Sequence, residues 1–167
     1  MALPLIRTQR CALQPFTFED VDGLHALWTA PAVRRYLWDD VVISQAVVEQ
    51  IIDSHLATEA SHGVGYWSVR VTAAASPGID GFCGFRFMDD GPDIELLYGL
   101  AEGYWRQGLA TEACLAAIEY LWRATAFTVL YARTDPPNER SVRVIERLGM
   151  TPVTSTTLPI TYTLRRP

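Results

Sequence analysis

The sequence predicts an α/β protein with a mixed, mostly antiparallel sheet and helices on both faces. Three observations lead there. Residues 66–71, 81–88 and 94–100 are short strand-like runs separated by turn-rich stretches, 73–80 and 89–93, which reads as an antiparallel meander. After them come a helical stretch at 108–123, a strand-like run at 128–134 and a second helical stretch at 138–148. A last strand pair, about 150–154 and 160–165, closes the chain. A meander followed by strand, helix, strand, helix, strand buries itself most simply as one sheet covered on both sides.

The N-terminal third adds the remaining elements. Residues 10–14 form a short strand ending at Pro15, and Thr17 to Asp20 supply capping groups for a helix that runs to about Trp28. Val21, Leu24 and Leu27/Trp28 share one face of that helix, and Pro31 ends it. Residues 32–42 are aromatic and charged, a short helix and a loop. Ser44 caps a second long helix over about 45–60, with Val47/Val48, Ile51/Ile52 and His55/Leu56 at helical spacing, and Gly63 and Gly65 end it. No repeat or linker interrupts the pattern, so residues 1–167 are expected to form one domain. A chain of this length can bury roughly two-thirds of its unfolded surface.

Composition excludes several functions. The net charge of −5 at pH 7 argues against nonspecific nucleic-acid binding, which needs a basic face. Cys11, Cys83 and Cys114 are dispersed, and no His/Cys group has metal-ligand spacing, so no metal is expected. No run approaches the ~20 apolar residues of a membrane span. The first residues turn polar too soon for a signal peptide. The expectation is a soluble cytoplasmic protein with no nucleic-acid or membrane partner.

The most telling segment joins the run at 94–100 to the helix at 108–123: Gly103-Tyr-Trp-Arg-Gln-Gly-Leu-Ala-Thr-Glu-Ala113. Backbone N–H groups at a helix start have no intrahelical partner, and the helix dipole adds partial positive charge there. Gly108 lets the backbone approach a bulky ligand, and Ala110 keeps the next approach small. A phosphate or pyrophosphate is therefore expected at 106–111. A Walker loop needs Gly-Lys-Ser/Thr, and the chain has no lysine; its basic residues are 14 arginines. A dinucleotide loop needs G-x-G-x-x-G after the first strand of a βαβ unit, whereas these glycines stand at 103 and 108, past mid-chain.

What remains resembles the GNAT superfamily of N-acetyltransferases, whose signature Gln/Arg-x-x-Gly-x-Gly/Ala aligns with Trp105-Arg-Gln-Gly-Leu-Ala110. Trp105 departs from the first position, in the manner of the RimJ/RimL-type ribosomal-protein acetyltransferases, which often read Tyr-Trp-x-x-Gly-x-Ala-Thr-Glu-Ala. Asn138, Ser141, Leu148 and Gly149 resemble the family's Asn-x-x-Ser…Leu-Gly block, and residues 10–20 its first strand and helix. The resemblance implies a twisted sheet of about six or seven strands flanked by about four helices, with acetyl-CoA in a wedge between 94–100 and 128–134. It also leaves room for a homodimer through the last strands or the exposed sheet face.

Acetyl transfer to an amine needs a held thioester, a neutral amine and a donor for the departing thiolate. Glu95 is the candidate base, in an otherwise apolar run where alternation puts it with Leu97 and opposite Leu96 and Tyr98. Its bland reading is a solvent-facing residue or a partner for an arginine such as Arg86. Ser141 is the candidate acid, because the position of the family's usual Tyr is Ile145; Tyr98 is a weaker substitute. Ser141 could equally be a first-turn residue with a local hydrogen bond. Asn138 is expected to cap its helix and contact the pantetheine. The resemblance implies that Tyr98, Gly99 and Leu100 offer backbone partners to that arm. Arg106, Gln107, Gly108, Leu109, Ala110 and Thr111 would hold the pyrophosphate, with Glu112 facing away. Trp28, Tyr36, Trp38 and Trp67 could line an acceptor pocket but more simply pack in the core. Asp39 and Asp40 could attract a cationic amine, and His25, His55 and His62 read as structural or solvated. The acceptor is a protein N-terminal α-amine or a small amine. The rival from another class is a noncatalytic acyl-CoA-binding module, which predicts a filled cleft and a Glu95 turned to solvent.

Overall fold

A computed structural model of the chain describes residues 2–74, 78–89, 91–153 and 158–167. Eight strands form one sheet: β1 (Ile6–Arg7), β2 (Cys11–Pro15), β3 (Tyr66–Val71), β4 (Gly81–Phe87), β5 (Ile94–Leu100), β6 (Val129–Thr134), β7 (Thr151–Pro152) and β8 (Ile160–Arg165). Their spatial order is β1-β2-β3-β4-β5-β6-β8-β7, and every neighbouring pair is antiparallel except β5 and β6. The helices are α1 (Val21–Thr29), α2 (Pro31–Leu37), α3 (Gln45–His62), α4 (Leu109–Ala124) and α5 (Glu139–Arg147).

The mixed sheet agrees with the expected class and differs from it in detail. Among the described residues eight strands replace six or seven because β1, two residues long, is too short to show alternation; the strand expected at about 150–154 is present as β7. Five α-helices replace four because Pro31 both follows the end of α1 and opens α2 at its first position, where a missing N–H costs nothing. The helix expected to start after Ser44 runs to His62, closed by Gly63 in the left-handed region. Parts of the two expected turns (75–77 and 90) and the end of the penultimate strand (154) lie outside the described residues.

The sheet separates two cores. On one face, α4 and α5 cover Leu13, Trp67, Val69, Phe85, Leu96 and Leu130, with Leu109, Leu121 and Ile145 pointing down from the helices. On the other face, α1–α3 cover Phe16, Tyr66, Phe82 and Leu97 with Leu24, Trp28, Val48 and Ile52. Each fully buried aliphatic side chain contributes about 1.5–3 kcal/mol relative to exposure. The alternation expected for β5 holds: Leu96, Tyr98 and Leu100 join the α4 side, Leu97 the α1–α3 side.

One feature of the sheet positions the site. β5 pairs with β4 over its full length, and β6 pairs with β8 over its full length. Between β5 and β6 the ladder holds a single pair, Glu95↔Tyr131. Beyond it the strands part, so residues 96–100 and 132–134 face a gap rather than each other.

Candidate active site

The gap between β5 and β6 opens into a cleft of about 1090 Å³ that reaches both faces of the sheet. On the α4 side it is lined by Tyr98, Trp105, Arg106, Gly108 to Thr111, Asn138, Arg140 and Ser141. On the α1–α3 side its walls are Val33, Arg35, Tyr36, Leu37 and Asp39 with Phe82, Arg86, Glu95 and Arg133. Seven arginines line the whole cleft. Of the ten residues expected to bind the donor, all but Gln107 are among the lining residues.

The α4 end of the cleft is built from main chain. Arg106 and Gly108 both lie in the left-handed region, at φ 62° and 76°. For a non-glycine residue this costs free energy and signals a backbone held for a purpose. The result is a concave run of N–H groups, and among the described residues none from 106 to 111 has a protein acceptor. The first helical bond is Glu112 N–H to the Gly108 carbonyl at 3.0 Å. The buried Thr111 hydroxyl is also without a partner among the described residues. An anion with several oxygens fits this cradle, and the diphosphate of an acyl-CoA is such a group.

Side chains outside the loop hold it in place. Glu112 turns away from the cleft and accepts from Thr8 Oγ1, the Arg10 N–H and Arg10 Nε, each at 2.7 Å. Burial would raise its carboxyl, but those hydrogen bonds and the Arg10 charge pull it below the usual range. Arg10 Nη1 also donates to the Gln107 carbonyl at 2.8 Å, so one arginine ties the loop to the β1–β2 turn. Trp105 Nε1 donates to the Leu100 carbonyl at 2.8 Å, and Arg140 stacks 3.8 Å from the Trp105 ring centroid. Leu100 therefore spends its carbonyl inside the protein. The tie through Arg10 was missed in the sequence, because nothing local connects residue 10 to residue 107.

Asn138 caps α5, its Oδ1 accepting from the Ser141 N–H at 3.3 Å. Ser141 then meets Tyr98: the Tyr98 hydroxyl lies 3.0 Å from the Ser141 carbonyl and 2.8 Å from its Oγ. A carbonyl can only accept, so with the phenol proton there, the serine hydroxyl donates to Tyr98 Oη. Burial pushes the Tyr98 phenol well above its ordinary value, against a lowering by Ser141, and keeps it protonated. Ile145, at the position of the family's usual tyrosine, is a fully buried core residue.

On the other face, Glu95 is 2% exposed and bound by two arginines. Arg86 Nε donates to Oε1 at 2.6 Å, Arg133 Nη2 to Oε1 at 2.9 Å and Arg133 Nε to Oε2 at 2.8 Å. Of about four acceptor positions on the carboxylate, one is left, on Oε2. Arg133 also donates Nη1 to both oxygens of Asp89. Its guanidinium is pushed up by the Glu95 hydrogen bonds against burial, with Asp89 adding to the rise. The pairing of Glu95 with Arg86 is present as weighed; Arg133 comes from the parallel neighbour, which only the sheet order reveals.

The aromatic residues divide. Tyr36 lines the cleft, and its hydroxyl donates to the Pro137 carbonyl at 3.3 Å, linking α2 to the β6–α5 loop. Trp28 packs in the α1–α3 core, against Phe82 and Trp38. Trp67 is buried on the opposite face, with Nε1 on the Pro4 carbonyl. Neither tryptophan lines the cleft. Asp39 does, whereas Asp40 is paired with Arg34 at 2.8 Å. Of the histidines, His55 is buried and its Nδ1 accepts from the Tyr66 N–H at 3.0 Å.

A family described as an acetyltransferase (GNAT) domain matches residues 10–151. The chain is 25% identical over 147 residues to the uncharacterized N-acetyltransferase p20 of Bacillus licheniformis, covering 85% of this chain and 79% of that one. In structure it is similar to an acetyltransferase from Agrobacterium tumefaciens str. C58, with a TM-score of 0.83 at 20% identity over 99% and 96% of the two chains. RimL, a ribosomal L7/L12 α-N-protein acetyltransferase solved with coenzyme A, gives a TM-score of 0.78 at 15% identity over 99% and 98%.

Proposed function

We infer the chemistry from one premise: the chain belongs to the GNAT family of acetyltransferases. The reaction that fits the cleft is transfer of an acetyl group from acetyl-CoA to a primary amine, by direct attack while both substrates are bound. The observation that carries it is the parting of β5 and β6 beyond Glu95↔Tyr131. That gap connects an anion cradle on one face of the sheet to an open, polar pocket on the other. Glu95 lines the cleft rather than facing solvent, and the pocket is open, which is the opposite of what a noncatalytic module predicts.

Acetyl-CoA, when bound, supplies an activated acyl carbon and a thiolate leaving group. The N–H groups of 106–111, with the Thr111 hydroxyl, would hold its diphosphate. Tyr98, whose main chain turns to the edge left free by β6 while that of Gly99 turns to β4, offers main-chain partners in the manner of an added strand, beside Asn138. Tyr98 and Ser141, hydrogen-bonded to each other and lining the gap, form the proton donor for the leaving sulfur, one hydroxyl turning from its present acceptor toward the thiolate. Glu95 accepts the amine proton through a water at its one free position; direct abstraction by Oε1 is blocked by two arginine N–H groups. Positioning of this kind supplies much of the rate, and acid and base each contribute roughly 10²–10⁴-fold. A RimL-like action on a protein N-terminus and an action on a small amine both suit a cleft of this size.

Calorimetric titration with acetyl-CoA, using NAD and ATP as controls, tests the donor side. Thiol release in the presence of N-terminal peptides and small amines tests the rest. Selective micromolar binding followed by acceptor-dependent thiol release is the expected result. No binding of acetyl-CoA would overturn the reading.

A further inference from the structure

The pocket on the α1–α3 side has its own electrostatic pattern. Five charged side chains line it: Arg35, Asp39, Arg86, Glu95 and Arg133. Arg133 is consumed, with Nε and Nη2 on Glu95 and Nη1 on Asp89. Glu95 is consumed by the two arginines. Arg86 is not. Its Nε is fixed on Glu95 Oε1, its side chain is 52% exposed, and among the described residues its Nη1 and Nη2 have no acceptor.

A guanidinium held by its Nε end presents the two Nη groups as a parallel pair of donors, the arrangement a carboxylate fills bidentately. The anchor beneath it is buried and itself locked, so little side-chain freedom is left to lose on binding. Arg35, which has no ion-pair partner among the described residues, adds a second positive charge to the same pocket. With Asp89 on Arg133 the three arginines meet three carboxylates, and the donors left unspent on the β4 wall are those of Arg86, which suit a carboxylate and repel a second ammonium. Asp39, also without an arginine partner among the described residues, suits the ammonium end of a short acceptor.

We propose that the acceptor is a primary amine that also carries a carboxylate, and that Arg86 is the residue that binds this carboxylate. The proposal rests on the acetyl-transfer reading of the cleft. Arg86 sets specificity and takes no part in bond making.

The test uses the full chain, after acetyl-CoA binding has been measured by calorimetry. Thiol release is compared for matched acid and amide acceptors: β-alanine against β-alaninamide, and the peptide amides Ala-Asp against Ala-Asn. The free amino acid and the peptide side chain are thereby separate arms. The acid member of at least one pair should be preferred by roughly tenfold or more in kcat/KM. Arg86→Gln should bring that ratio close to one, mainly through KM, with Arg86→Lys in between and Arg35→Gln giving a smaller loss. Arg133 still holds Glu95 in these variants, and thermal melts confirm folding. Amides that match or beat acids in both pairs, or a ratio unchanged in Arg86→Gln, would overturn the proposal. Acetyl-CoA binding with neither pair consumed overturns it while leaving the donor site standing; no acetyl-CoA binding overturns both.

Discussion

The two sides of the cleft are built in different ways. The donor side is main chain from one short segment, 106–111, with left-handed residues and a helix start turning its N–H groups toward one place. The acceptor side is made of side chains from α2, β4, β5 and β6, which meet only because the sheet brings them together. A main-chain site recognises a feature shared by all its ligands, which on the proposed reading is a diphosphate. A side-chain site can be re-specified by single substitutions without disturbing the first. The difference teaches where variation in such a protein should fall: in the acceptor wall.

Substitutions can break that comparison or sharpen it. The largest effect is expected from Glu95→Gln, which keeps the shape but removes the charge and the base: kcat/KM should fall roughly 10²–10⁴-fold. Acetyl-CoA affinity, measured by calorimetry, should change little; a large loss would show that the two sides are not separable. Gly108→Val should do the converse. Space exists for a side chain there, since the nearest atom to an added Cβ is Arg10 Nη2 at 3.6 Å, but at φ 76° the strain is about 1–3 kcal/mol. Acetyl-CoA should bind roughly 10–100-fold more weakly, with kcat at saturation nearly kept. Tyr98→Phe preserves the packing and removes one hydroxyl of the pair with Ser141. It should lower kcat about tenfold and leave KM for the acceptor alone, as single-turnover measurements would show.

The smallest effect concerns stability. His55 lies under the acceptor side, in ring contact with Phe16 and Tyr66. Burial lowers its pKa, against a raising contribution from Glu59. With the folded value below the unfolded one, its contribution is fully present above pH 6.5 and is lost as pH falls through the folded value. Melting temperature should therefore decline on acidification below that pH, and His55→Gln should flatten the decline. Hydrogen exchange should show α3 and β3 loosening before α4.

The same contrast explains how much the sequence could tell. The donor loop, the helix cap at Asn138 and the order of strands and helices are local patterns, and they were legible. The proximity of Tyr98 to Ser141 was not, although both residues could be singled out, because it depends on where α5 lands against β5. Glu95 could be read as base or as ion-pair partner, and the structure gives it two arginines at once. The second of these, Arg133, depends on β6 lying next to β5 rather than beside β7, a matter of sheet order. Trp28 and Trp67 look alike as aromatic candidates in sequence, yet their indoles sit on opposite faces of the sheet. Arg10 offered no signal, since its ties to Gln107 and Glu112 span 97 and 102 residues.

The cations that line the cleft are all arginines, and the chain has no lysine anywhere. A lysine amine is neutral for a small fraction of the time, and in that form it is itself a nucleophile. A guanidinium stays protonated at any pH a folded protein meets, with its lone pair delocalised. An acetyltransferase made this way has no side-chain primary amine to expose to its own activated donor. It can gather positive charge around a polyanionic substrate without becoming a target of the reaction it catalyses.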